Sequence, residues 1–187
     1  MTKPAFRLLL SVIVIIWLVG LINWLLGYQL NRFGILPRTP EALAAILLTP
    51  FLHGGFLHLI NNTIGFFIFG WLASLYNGSN DDVLLKLTLF VAFWGGLITW
   101  MLARPSLHIG LSGVIFGYWG FVSINGLFER SLRSILISFI ALFFYGGMVF
   151  GVMPTSSGVS FESHLFGAIS GVMYSYFYRR KLAKESR

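Results

Sequence analysis

The stretch 7-RLLLSVIVIIWLVGLINWLL-26 decides the class of this chain. A helix rises 1.5 Å per residue, so about 20 apolar residues match the ~30 Å hydrocarbon core of a bilayer. Lys3 and Arg7 precede the run. A secretory signal peptide has a shorter apolar core and a small-residue cleavage site. Here the run is longer and no such site follows, so it reads as a retained first span.

The rest of the chain agrees. Of its 187 residues, 57% are apolar and only 10% are charged, against roughly 25% charged in soluble domains. That leaves too little polar surface to cover a water-exposed globule. A membrane β-barrel would alternate apolar and polar residues in segments of about ten, and this chain does not. It contains no cysteine, which excludes disulfides, thiolate nucleophiles and Cys-based metal sites. The net charge of +7 is not read as a nucleic-acid signal, because the basic residues stand mostly at the ends of apolar runs.

Six spans are predicted, at about 7–28, 56–76, 83–103, 112–128, 133–152 and 164–180. The fourth is short and the sixth is Gly-rich, so hydropathy marks these two least clearly. Six spans put both termini on one side. Lys3, Arg7, Lys86, Arg130, Arg133, Arg179, Arg180, Lys181, Lys184 and Arg187 then share that side, against Arg32, Arg38 and Arg104 on the other. The positive-inside rule makes the first side cytoplasmic. In the long first outer loop, 39-TPEALAAILL-48 has Thr39 at an N-cap and Pro40 at the first helical position. It is too short to span and is predicted as an interfacial helix on the outer leaflet. The outer loop 153-MPTSSGVSFES-163 is expected to be mobile. No internal repeat and no soluble domain is evident, so residues 1–187 read as one six-span membrane domain, all-α.

Polar groups inside a span are costly and are functional hypotheses by default. All four histidines, His53, His58, His108 and His164, fall on the outer side under this topology. Spans 2, 4 and 6 each run inward from that side and open with His58 and Asn62, with Ser112, and with His164. His58 and Asn62 lie one turn apart on one helix face. Gly113 and Gly117 on span 4, and Gly167 and Gly171 on span 6, form two GxxxG pairs that let helix backbones approach closely. If those faces meet, Ser112 and His164 stand at similar depth. Each residue also has a plainer reading. Ser112 can be only a helix cap, His164 a wetted interfacial histidine, Asn62 interhelical glue and the glycines packing devices. The combination is what points to chemistry.

Serine is a weak nucleophile until a base takes its proton, and histidine suits that task at neutral pH. The attacked carbonyl becomes an oxyanion that needs fixed donors. The first N–H groups of span 4 are unpaired by helix geometry, Gly113 leaves them approachable, and His58 and Asn62 can add side-chain donors. These parts suit acyl transfer, and a peptide bond is the natural substrate in a membrane. Glu162 is poorly placed to orient His164, so a Ser–His dyad is the economical reading. The G-x-S-x-G elbow fails because residue 114 is Val, the zinc motif H-E-x-x-H is absent, and the His53–His58 spacing is not that of a helical zinc pair. No metal and no cofactor is expected.

The residues Gly110-Leu111-Ser112-Gly113, His164 ahead of Gly167 and Gly171, and His53, His58 and Asn62 as H-x₄-H-x₃-N closely resemble the rhomboid family of intramembrane serine proteases. The resemblance covers roughly residues 7–180. It implies Ser112 as nucleophile, His164 as general base, and His58, Asn62 and the Ser112 backbone N–H as the oxyanion hole. Three departures stand out. Phe116 replaces the usual Tyr that stacks on the base, Ser163 replaces the usual Ala before the histidine, and Ala44-Ala45 stand about where many members carry Trp-Arg. With no extra domain and no seventh span, the chain looks like the family's minimal form.

The sequence therefore predicts a serine endopeptidase that cleaves single-span membrane proteins near the outer face of the bacterial plasma (inner) membrane. Substrates would reach the site beside span 5, where 139-FIALFF-144 would line a gate, and the 153–163 loop would act as a lid. The partners are transmembrane substrates and the bilayer, with no nucleic acid, and the oligomeric state is open. Two other readings stand beside it: a catalytically inactive relative that binds membrane clients, and a small transporter with a His/Asn polar path.

Overall fold

A computed structural model describes residues 2–76, 83–154 and 158–185 of the protein. The described chain is all-helical, apart from one isolated antiparallel bridge between Ile35 and His108. Its helices are α1 (Lys3–Leu25), the short α2 (Ala45–Leu48), α3 (Phe56–Ser74), α4 (Val83–Leu102), α5 (Ser112–Glu129), α6 (Leu132–Tyr145) and α7 (Phe161–Glu185). The protein is a polytopic helical membrane bundle. Helices α1, α3 and α4, and α6 with its 3₁₀ continuation to Val152, are long and apolar enough to cross a membrane.

Helix α5 is less apolar because of where it sits. It packs against α3, α4, α6 and α7, and Val114, Phe116, Tyr118, Phe121, Val122 and Asn125 are all buried. A helix enclosed by protein does not need a lipid-facing surface. By contrast, Leu18 and Leu25 of α1 and Phe139, Phe143 and Phe144 of α6 are largely exposed, which only a bilayer accommodates.

The helix ends differ from the predicted spans for local reasons. Helix α1 starts at Lys3 because Thr2 caps it, its hydroxyl accepting from the Ala5 N–H, with Pro4 in the first turn. It ends at Leu25 because Gly27 and Tyr28 turn left-handed, at φ of 60° and 63°. There Asn23, fully buried, holds the turn by accepting from the Leu30 N–H and donating to Asn31 and to the His53 carbonyl. Helix α6 passes into a 3₁₀ segment at Gly146, and α7 begins a turn early, at Phe161.

The single interfacial helix expected over 39–48 is instead a 3₁₀ turn at Pro40–Ala42 followed by the four-residue α2. Thr39 does not cap it, since its hydroxyl donates back to the Leu36 carbonyl. The segment buries Ala42, Ala45 and Ile46 with Ile35 against Leu97 and Trp100, so it packs on α4. A tryptophan and an arginine do fasten this loop, but from other positions. Trp100 Nε1 donates to the Thr39 carbonyl at 2.8 Å, and Arg38 Nη1 donates to the Ala103 carbonyl at 2.8 Å. Arg38 thereby caps the C-terminus of α4, where a cation is favoured by the helix dipole.

Candidate active site

Helices α5 and α7 run parallel along a seam of glycines. A Cβ on Gly167 would lie 2.0 Å from the Gly113 carbonyl oxygen, and one on Gly171 would lie 1.8 Å from that of Gly117. A Cβ on Gly120 would lie 2.4 Å from the Ala168 carbonyl. Only glycine permits backbones this close. The seam brings the first residue of α5, Ser112, level with the fourth residue of α7, His164.

Ser112 Oγ and His164 Nε2 are 2.9 Å apart. His164 Nδ1 lies 2.9 Å from the Gly151 carbonyl. A carbonyl only accepts, so Nδ1 carries the ring proton and Nε2 is left to accept from the serine hydroxyl. The base is thus oriented by backbone, from the 3₁₀ segment after α6. Phe116, one turn after the serine, stacks on the imidazole at 4.1 Å between centroids and 8° between planes. A Cβ on Gly151 would lie 2.6 Å from the Phe116 ring, so only glycine fits there.

Gly110, with φ of 114°, marks the other wall. A Cβ there would meet His58 Nε2 at 2.7 Å and Asn62 Nδ2 at 3.3 Å. Both side chains come from the first turns of α3. His58 Nδ1 accepts from the Gly54 N–H at 3.4 Å, which leaves Nε2 as a donor. Asn62 Nδ2 is buried and has no hydrogen-bond partner among the described residues. Buried donors without partners are rare in native structures. His58, Asn62, Ser112 and His164 all line one cavity of about 730 Å³, which Tyr145 and Met148 extend toward α6.

His53 stands outside this group. Its ring edge meets His58 at 5.0 Å, and its Nδ1 donates to the Phe51 carbonyl. Burial, and secondarily His58, pushes its pKa down to about 4, so it is neutral at physiological pH. His108 is buried away from the cavity, where burial holds its pKa below the usual 6.5. Glu162 lies in the first turn of α7 and pairs with Arg104, at 3.2 Å, rather than with His164. Among the described residues no group of three or more His, Asp or Glu side chains is placed to hold a metal ion.

The sequence matches the Rhomboid domain family over residues 40–181. The chain belongs to the rhomboid family. Uncharacterised proteins of Mycobacterium bovis and Mycobacterium tuberculosis are each 36% identical over 177 residues, covering 90% of this chain and 72% of theirs. A Bacillus subtilis relative named "putative rhomboid protease" is 28% identical over 155 residues, covering 75% of this chain and 69% of its own. This rhomboid is thus a multi-pass membrane protein.

Sequence reading missed the Gly151 carbonyl, because a backbone acceptor leaves no mark on residue type. The stretch 139–144, expected to line a gate, lies on α6. In this rhomboid α6 buries Ser134, Ile137, Ser138 and Ala141, and that i, i+3, i+4, i+7 face turns Phe139, Phe143 and Phe144 outward. Of the proposed lid, residues 155–157 lie outside the described residues.

Proposed function

We propose that this chain is an intramembrane serine endopeptidase that hydrolyses peptide bonds in or near transmembrane segments, with Ser112 as nucleophile and His164 as base. The observation that carries the reading is the 2.9 Å Ser112 Oγ–His164 Nε2 contact on a ring whose other nitrogen is committed to Gly151. Ser112 Oγ attacks the scissile carbonyl as His164 Nε2 takes its proton. The oxyanion that forms accepts from the Ser112 N–H, His58 Nε2–H and Asn62 Nδ2–H. His164 then protonates the leaving amine, and water, activated by the same nitrogen, hydrolyses the ester. The unpartnered Asn62 amide supports this assignment, because a donor kept without a partner in the free enzyme is available to the transition state without reorganisation.

Family membership supports membrane-protein substrates, and the basic-residue asymmetry supports cytoplasmic termini with the cavity opening to the outer side. The cavity between α3 and α5 reaches Tyr145 and Met148, which favours substrate access along α6. The experiment is cleavage of a labelled transmembrane peptide in liposomes. The parent chain is expected to cleave and Ser112→Ala to be inactive. Peptide binding without cleavage by the parent would instead favour a client-binding protein, and cleavage surviving Ser112→Ala would remove the serine from the mechanism.

A further inference from the structure

Each residue from Val159 to Glu162 is held by the loop between α4 and α5. Arg104 Nη2 donates to the Val159 carbonyl at 2.8 Å, its guanidinium lies 5.1 Å over the Phe161 ring, and its Nε pairs with Glu162. His108 Nδ1 meets Ser160 Oγ at 2.5 Å, and Ser163 Oγ lies 2.7 Å from that same oxygen. His108 Nε2 faces the Arg104 carbonyl at 3.2 Å. The ring thus bridges the Arg104 carbonyl and the Ser160 hydroxyl through its two nitrogens.

Ser160 is also the cap of α7. Its Oγ accepts from the Ser163 N–H at 3.4 Å, and its carbonyl accepts from the His164 N–H at 3.3 Å. An ordinary cap hydroxyl rotates freely. Here its oxygen is held between the His108 ring on one side and Ser163 on the other. The same loop carries the nucleophile. Ile35 and His108 exchange backbone bonds at 2.9 Å in each direction, and the Gly110 N–H donates to the Thr49 carbonyl two residues before Ser112. Serine and base are therefore both referenced to residues 104–110.

We propose that His108 is a positioning residue for the general base: through Ser160 and Ser163 it fixes the first turn of α7 and so the distance from His164 to Ser112. The proposal rests on the reading of His164 as base. A displacement of about 1 Å at a reacting pair is worth up to about 100-fold in rate. For a change at His108 the loss falls on kcat rather than KM, because His108 is not among the residues that line the cavity.

The test uses the full chain in liposomes, with peptide cleavage and the rate of fluorophosphonate inactivation as paired readouts. His108→Phe is expected to lower kcat by about 10- to 100-fold with KM within about twofold, and to slow inactivation by the same factor. His108→Gln, whose amide carries polar atoms able to meet both the Arg104 carbonyl and Ser160, is expected to recover most of that loss. Should His108→Phe fail to fold, Ser160→Gly is the alternative, since glycine is tolerated as a cap but cannot bond His108; the same fall in kcat and in inactivation rate is expected. An unchanged kcat, a fall in cleavage with normal inactivation, or Gln behaving like Phe would overturn the proposal. His164→Ala inactivated as fast as the parent would instead overturn the reading of the base.

Discussion

The α5–α7 seam carries polar groups at both ends and uses them in opposite ways. At the C-terminal end Asn125 Oδ1 accepts from Ser175 Oγ at 2.8 Å and from Arg179 Nε at 3.0 Å, while Arg179 also pairs with Glu129. Ser131 adds a bond to the other Glu129 oxygen at 3.1 Å. The donors and acceptors of these residues pair with one another, and Asn125 and Ser175 are fully buried. At the N-terminal end Ser112 and His164 share one bond, and Asn62 opposite keeps an unpartnered amide beside an open cavity. A satisfied network rigidifies a bundle, while an unsatisfied donor is expensive unless something else repays it. On the proposed function, the contrast corresponds to stability at one end and chemistry at the other.

Exchanging the ends by mutation breaks or sharpens that contrast. The largest effect is expected from His164→Ala, which should cut cleavage on the order of 10⁶-fold with the thermal unfolding midpoint close to that of the parent. A matching loss of stability would mean that the N-terminal end is structural as well. Asn62→Ala should follow, lowering kcat by about 10²- to 10³-fold, as for loss of one oxyanion donor. A change in KM alone would make Asn62 a substrate contact. Arg179→Ala should reverse the pattern. It leaves Glu129 with a smaller set of partners and should destabilise the fold by about 2 kcal/mol, seen in detergent unfolding, with kcat per folded molecule unchanged. The smallest effect is expected from Phe116→Leu. Losing the ring stacked on His164 removes about 0.5–1.5 kcal/mol of aromatic contact, so cleavage should fall by no more than about tenfold.

Much of this architecture was legible in the residues themselves. The apolar runs marked the helices, and four of them are long and apolar enough to cross a bilayer. Gly113, Gly117, Gly167 and Gly171 stand at GxxxG spacing, and it is their backbones that meet. Periodicity said less about α5, whose low hydropathy reflects enclosure by four neighbours. It also said little about the first loop, where Arg38 and Trp100 serve from positions no local pattern connects. Several pairings across long separations left no mark in the sequence. His108 and Ser160 are 52 apart in sequence, Asn125 and Ser175 are 50 apart, and Gly151 acts through its carbonyl.

The central claim is that Ser112 is a nucleophile activated by His164. Fluorophosphonate labelling of the purified protein, with the adduct mapped by mass spectrometry, tests it most directly. The account predicts one adduct, on Ser112, lost in Ser112→Ala and strongly slowed in His164→Ala. An adduct on another residue, or labelling that survives Ser112→Ala at the parent rate, would contradict it.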